Sequence, residues 1–314
     1  MANTKSINPE QAPDTTPDLS PDLNPDQARE QLLAGIPVTE RRLDLAGIST
    51  TVLEGGTGPA VVLLHGPAAC AVHWRGVIPD LTDNHHVVVP DLPGHGESRV
   101  EGGPLDAERV VTWLAELVEA TCEGPPALVG QALGGAIAAT FAGTHPALLS
   151  RLVLIDTLGL SAFAPAPEFG QALEAFLTEP GRQTHDQLWR RCAFDLDGLR
   201  DRMRGTWEAF ATYNVDRART PSVQSALHTL MGTFGFAAID PEVLDRIAVP
   251  TTLVWGRHDI AIPLPVAEDA SGRYGWPLRV IEGAADDPPV EQPEALVAVL
   301  RAVLGTTTVG TGGQ

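Results

Sequence analysis

The chain has 314 residues, with 40 acidic against 21 basic side chains, a net charge of −19, 31 glycines, 27 prolines and 3 cysteines. This length can fill one large core. The charge argues against nucleic acid and anionic membranes as partners, because both repel an acidic surface.

The first thirty residues place Pro9, Pro13, Pro17, Pro21 and Pro25 at a spacing of four, with Asp14, Asp18, Asp22 and Asp26 after the last four prolines. Proline at that density forbids a helix interior, and the low apolar content cannot offset the entropy of ordering. A disordered Pro/Asp-rich tail is therefore expected over residues 1–34. No hydrophobic segment of signal-peptide type lies in Met1 to Glu30, and no apolar run reaches the ~18 residues that span a bilayer. A cytoplasmic protein is the expectation. Cys70, Cys122 and Cys192 are few, odd in number and far apart, which fits reduced thiols rather than a disulfide framework or a zinc site.

Beyond the tail, β-branched runs bounded by turn residues predict strands buried on both faces: 60–65, 87–90, 127–130, 152–155, 251–255 and 278–281. Val110, Val111, Leu114, Leu117 and Val118 fall on one helical face, as do Leu296, Val297, Leu300 and Val303. The alternation predicts an α/β protein with a mostly parallel sheet covered by helices. The rhythm breaks over 158–247, where helix-like patterns at 173–177, 188–194 and 223–231 bring Trp189, Trp207, Phe210 and Tyr213 but no clear strand. A helical cap over the carboxyl edge of the sheet is the simplest reading. Core segments are thus 35–157 and 248–304, with a flexible Gly/Thr-rich end at 305–314.

Five segments in order carry a resemblance: Leu64-His-Gly-Pro67, Asp91-Leu-Pro-Gly-His-Gly-Glu-Ser98, Gly130-Gln-Ala-Leu-Gly-Gly135, Gly256-Arg-His-Asp259 and Glu291-Gln-Pro-Glu294. Together they resemble the α/β-hydrolase superfamily over about Val38 to Leu304. The resemblance implies the α/β-hydrolase fold, a doubly wound sheet with an inserted helical cap, and no cofactor.

In such proteins the segment at 130–134 is the elbow that exposes the nucleophile, and here its apex is Ala132, preceded by Gln131. A methyl group cannot attack an ester, an epoxide or a carbon–halogen bond. Asp286, in Gly283-Ala-Ala-Asp286, stands where the resemblance places the catalytic His, and no histidine follows His258. Pro67 stands where an oxyanion-hole donor is expected and has no N–H, which leaves Leu133 to supply the remaining donor. Asp259 matches the acid of the triad. Lacking a His partner, it becomes the expected neighbour of Asp286, and two adjacent carboxyls cannot comfortably both ionise.

Asp259, Asp286 and His73 are accordingly the catalytic candidates. The pocket candidates are His65, Pro67, Gln131, Ala132, Leu133, Trp189 and Tyr213. No metal-ligand cluster, phosphate loop or dinucleotide fingerprint is present. The expected partner is a small-molecule substrate or ligand, with a homodimer left open. Three functions compete: a non-hydrolytic enzyme of cyclase, lyase or isomerase type, as used in secondary metabolism; a non-catalytic binding protein; and a hydrolase with its nucleophile relocated to Cys70 or Ser98.

Overall fold

A computed structural model describes residues 23–305. The expected tail therefore lies largely outside the described residues, as does the Gly/Thr-rich end from 306 onward. The part of the tail that is described is a helix. α1 (Pro25–Leu33) begins on a proline, tolerated at the first helical position because no donor is needed there. Asn24 and Gln27 form a capping box in front of it. Only Ala28 and Leu32 are buried, one turn apart, too faint an apolar stripe to read in the sequence.

The sheet has nine strands among the described residues. β1 (Thr39–Leu45) and β2 (Ile48–Gly55) form an antiparallel hairpin at one edge. Neither is expected as a strand: β1 is largely exposed and reads as a charged segment, and β2, although mostly buried, carries the polar run Ser49-Thr50-Thr51 near its start. β3 (Ala60–Leu64) and β4 (His86–Pro90) follow, and β2 pairs antiparallel with both β4 and the short β5 (Arg99–Val100). β6 (Ala127–Gln131), β7 (Arg151–Ile155), β8 (Thr251–Gly256) and β9 (Leu278–Ile281) complete a parallel run in the order β4-β3-β6-β7-β8-β9. All six strands expected from β-branched runs are present, each within a residue of its expected limits.

Two apolar clusters sandwich this sheet. The helices that cover it are α2 (Ile78–Thr82), α3 (Ala107–Thr121), α4 (Leu133–Thr144), and, after the cap, α11 (Pro265–Tyr274), α12 (Pro288–Glu291) and α13 (Pro293–Leu304). The cap comprises α5 (Pro167–Thr178), α6 (Arg182–Cys192), α7 (Leu196–Met203), α8 (Thr206–Arg219), α9 (Pro221–Leu230) and α10 (Pro241–Asp245). It is inserted between β7 and β8. α1 packs on α8, and its Leu32 carbonyl is held by the core, where it accepts from Arg75 Nε. No helix among the described residues is long and apolar enough to cross a membrane.

The turn from β6 to α4 is tight enough to require glycine. A Cβ on Gly134 would lie 2.5 Å from Leu64 O, and one on Gly130 would lie 2.4 Å from Gly134 O. Gly134→Ala should therefore destabilise the fold by about 1–3 kcal/mol through backbone overpacking. Urea unfolding measures it, and an unchanged midpoint would contradict the close approach.

Candidate active site

The turn after β6 places Ala132 at its apex with φ 46° and ψ −107°, a conformation that a non-glycine residue adopts only when its surroundings enforce it. The enforcement is a set of backbone hydrogen bonds: Ala132 N–H donates to Ile155 O, Gly134 N–H to His65 O, and Leu158 N–H to Ala132 O. The Ala132 methyl thus faces out of the sheet's carboxyl edge into a cavity of about 380 Å³ between core and cap.

The cavity wall is mainly apolar. Pro67, Ala68, Ala132, Ala261 and Ile262 form its floor. Phe169, Leu173 and Phe176 of α5, Leu188 of α6, and Leu227 with Met231 at the end of α9 form its roof. Polar atoms come from Asp286, the Cys192 thiol, and Gln224 and His228, the last two on the exposed face of α9. Asp286 is the carboxyl group in this wall.

Asp286 is held from both sides. Its N–H donates to Cys192 O in the cap, and its carbonyl accepts from Gln131 Nε2 in the core, at 3.1 and 3.0 Å. Glu291 fastens the flanking residues: Oε1 accepts from Ala285 N and Asp287 N, and Oε2 from Phe194 N of the cap. Burial pushes the Asp286 carboxyl up to about 6, opposed by a hydrogen bond with the Cys192 thiol. Burial also lifts Glu291 to about 7 against its three backbone donors.

Behind Asp286 lie two further carboxyls. Asp259 Oδ1 accepts from Ala261 N and Ile262 N at 2.7 and 2.9 Å, the geometry of a tight turn after β8. Asp156, at φ 40° after β7, accepts from Gly256 N at 2.9 Å. Each has a second oxygen that is buried and lacks a donor. Burial raises both well above the ordinary carboxylate range, and next in size come the charge of Asp259 on Asp156 and that of Asp286 on Asp259. The expected neighbourhood of Asp259 and Asp286 therefore includes a third buried carboxyl, Asp156, and burial raises all three above the ordinary carboxylate range. Asp156 was missed in the sequence, where it is one more acid after an apolar run; its left-handed backbone marks it only in three dimensions.

The remaining candidates separate. Pro67 and Ala132 line the cavity with Asp286. Gln131 lies beneath it, packed on Gly66 and bonded to the Asp286 carbonyl, and so acts as a positioning residue. Leu133 is fully buried at the start of α4. His65 accepts from Leu92 N on Nε2, so its Nδ1–H donates to Gly66 O; both nitrogens are spent on the loops.

His73 lies outside this cavity: Nδ1 accepts from Cys70 N, and the ring packs on Phe210. Trp189 is absorbed in an aromatic cluster with His185, Trp207 and Phe210, the cap's own core. The Tyr213 hydroxyl donates to Glu97, away from the cavity. Neither proposed relocated nucleophile faces the cavity: Ser98 donates to Asp91 O, and Cys70 is 3% exposed with a thiol raised well above its ordinary range by burial. Among the described residues no group of His, Cys, Asp and Glu has the geometry of a metal site.

Residues 59–284 match the model of the alpha/beta hydrolase fold. The chain is 30% identical over 234 residues to 2-hydroxy-6-oxo-6-phenylhexa-2,4-dienoate hydrolase of Comamonas testosteroni, covering 70% of this chain and 78% of that protein. It is 27% identical over 233 residues to 2-hydroxy-6-oxo-6-(2'-aminophenyl)hexa-2,4-dienoic acid hydrolase of Metapseudomonas resinovorans, covering 73% and 77%. The crystal structure of the phenylhexadienoate hydrolase from Rhodococcus sp. strain RHA1 superposes with a TM-score of 0.72 at 25% identity, covering 85% of this chain and 98% of that one. These relatives are named for hydrolysis and not as cyclases or lyases. By the extent of these matches, and by its sheet, elbow and cap, the chain belongs to the α/β-hydrolase family.

Proposed function

We propose that the protein is a non-hydrolytic member of this family, which binds a small, largely apolar metabolite under the cap and transfers a proton to or from it at Asp286. The observation that carries this reading is the pairing, in one apolar cavity, of a methyl group at the elbow apex with a carboxyl group held near neutral pKa. Ala132 stands where the family's hydrolases carry their nucleophile, and Asp286 where they carry their His. Without a nucleophile no acyl-enzyme forms. A carboxyl with pKa about 6 is, by contrast, matched to acid–base work near neutral pH. Asp259 and Asp156, buried behind it, act as a proton reserve rather than as contacts to the substrate. The cavity supplies orientation, worth several kcal/mol in itself. Cyclisation, elimination and isomerisation all fit this equipment.

The test is incubation with a metabolite extract from the source organism, with mass spectrometry of the products against the Asp259→Asn/Asp286→Asn variant. Conversion by the native protein alone supports the reading. Retention of an unchanged ligand by both proteins, with no conversion over long incubation, would instead make it a binding protein; the scarcity of polar groups in the wall favours that second reading.

A further inference from the structure

A second crevice, of about 360 Å³, opens where the cap meets the core on the side of α12 and α13. It shares no lining residue with the cavity that holds Asp286. Its apolar walls come from opposite sides, Val72 from the core and Leu199, Met203 and Phe210 from the cap. Its polar lining is dominated by donors. His73, 6% exposed, lines it. Because His73 Nδ1 accepts from Cys70 N, the proton sits on Nε2, which has no acceptor among the described residues. Burial keeps this imidazole neutral down to about pH 4, so Nε2 remains a donor near neutrality.

Arg75 and Arg202 line the same crevice. Arg75 uses Nε on Leu32 O, and Arg202 uses one Nη on Glu291 O, which leaves further N–H groups on each. Neither takes part in an ion pair among the described residues, although the chain carries an excess of nineteen negative charges. Glu294, exposed at the rim, is the crevice's one carboxylate. Two guanidiniums without an ion-pair partner, beside a buried imidazole whose Nε2–H is unspent, are a recognition set for an anionic oxygen pair, and the apolar walls fit a hydrocarbon body.

We propose that this crevice is a second binding site, for an organic monocarboxylate whose carboxylate meets His73, Arg75 and Arg202 and whose apolar body lies between Val72, Leu199, Met203 and Phe210. The site is independent of the chemistry assigned to Asp286. An acidic protein repels anions over most of its surface, so binding of one points to local cations.

Calorimetry on the full chain tests it, with phenylacetate as the probe, phenylacetamide as the uncharged control and inorganic phosphate as the body-free anion. Phenylacetate should bind one to one, about tenfold or more tighter than the amide. Arg202→Gln should weaken it by a similar factor, and Met203→Trp, which fills the crevice, should abolish it. Leu173→Trp, which fills the other cavity, should leave it unchanged, and circular dichroism confirms that each variant is folded. Equal affinity in Arg202→Gln, loss of binding in Leu173→Trp, or phosphate binding as tightly as phenylacetate would each overturn the proposal.

Discussion

Asp286→Asn should cost turnover and gain stability at the same time. If Asp286 moves the proton, its amide removes a general acid–base step worth about 10²–10⁴-fold, so kcat on the native substrate should fall at least ~100-fold. Ligand binding should persist, because Gln131 bonds the backbone carbonyl of residue 286 and not its side chain.

The stability change follows from linkage. A carboxyl raised from an ordinary value near 3.8 to about 6 holds its proton in the folded state while the unfolded chain has released it. Its stabilising contribution is complete below pH ~4 and is lost as pH rises through about 6. For Asp286 that loss is roughly 3 kcal/mol at pH 8. Glu291, raised to about 7, adds to the same decline. The native protein should thus be less stable at pH 8 than at pH 5. The Asn variant should recover up to about 5 °C of Tm at pH 8 and almost none at pH 4. Thermal unfolding at the two pH values, with kinetics, checks both halves; full turnover in a folded variant would remove Asp286 from the mechanism.

The second large effect is a gain. Ala132→Ser with Asp286→His should create measurable hydrolysis of p-nitrophenyl acetate, where neither single change does. No backbone rearrangement is needed, since residue 132 already holds the positive-φ apex. Asp259 is also retained, buried after β8, with Oδ1 accepting from Ala261 N and Ile262 N and Oδ2 free of a backbone donor. Activity should remain weak, because Pro67 offers no N–H to a developing oxyanion. Adding Pro67→Gly should raise the rate of the double variant by about 10²-fold, the usual worth of one such donor. No hydrolysis in the triple variant would mean that the cavity does not admit an ester in attacking geometry.

Much of this was legible in the chain itself. Buried parallel strands favour β-branched residues on both faces, so β3, β4, β6, β7 and β8 announce themselves as short apolar runs, whereas β9, expected to be buried on both faces, lies at the sheet's edge with only Ile281 buried. The elbow and its methyl apex are equally plain, because glycine is required at 130 and 134 by contact with neighbouring backbone. Asp259 and Asp286 could be named from their places in the order of motifs.

Charged or exposed elements were not legible. β1 carries Glu40, Arg41 and Arg42 on an edge, and α1 buries only two side chains, so neither shows a period. What lines a cavity is set by how the cap helices settle on the core, a matter of side-chain packing between segments far apart in sequence. That packing turned Trp189 into the cap's own core, joined the Tyr213 hydroxyl to Glu97 of the core, carried His73 to a separate crevice, and brought α5 and α9 over Ala132. It also decided the protonation of the acids. Composition establishes an excess of acidic residues, but only burial raises Asp156, Asp259 and Asp286 above the ordinary carboxylate range, because the cost of charging each depends on the water and the charges that the fold leaves around it.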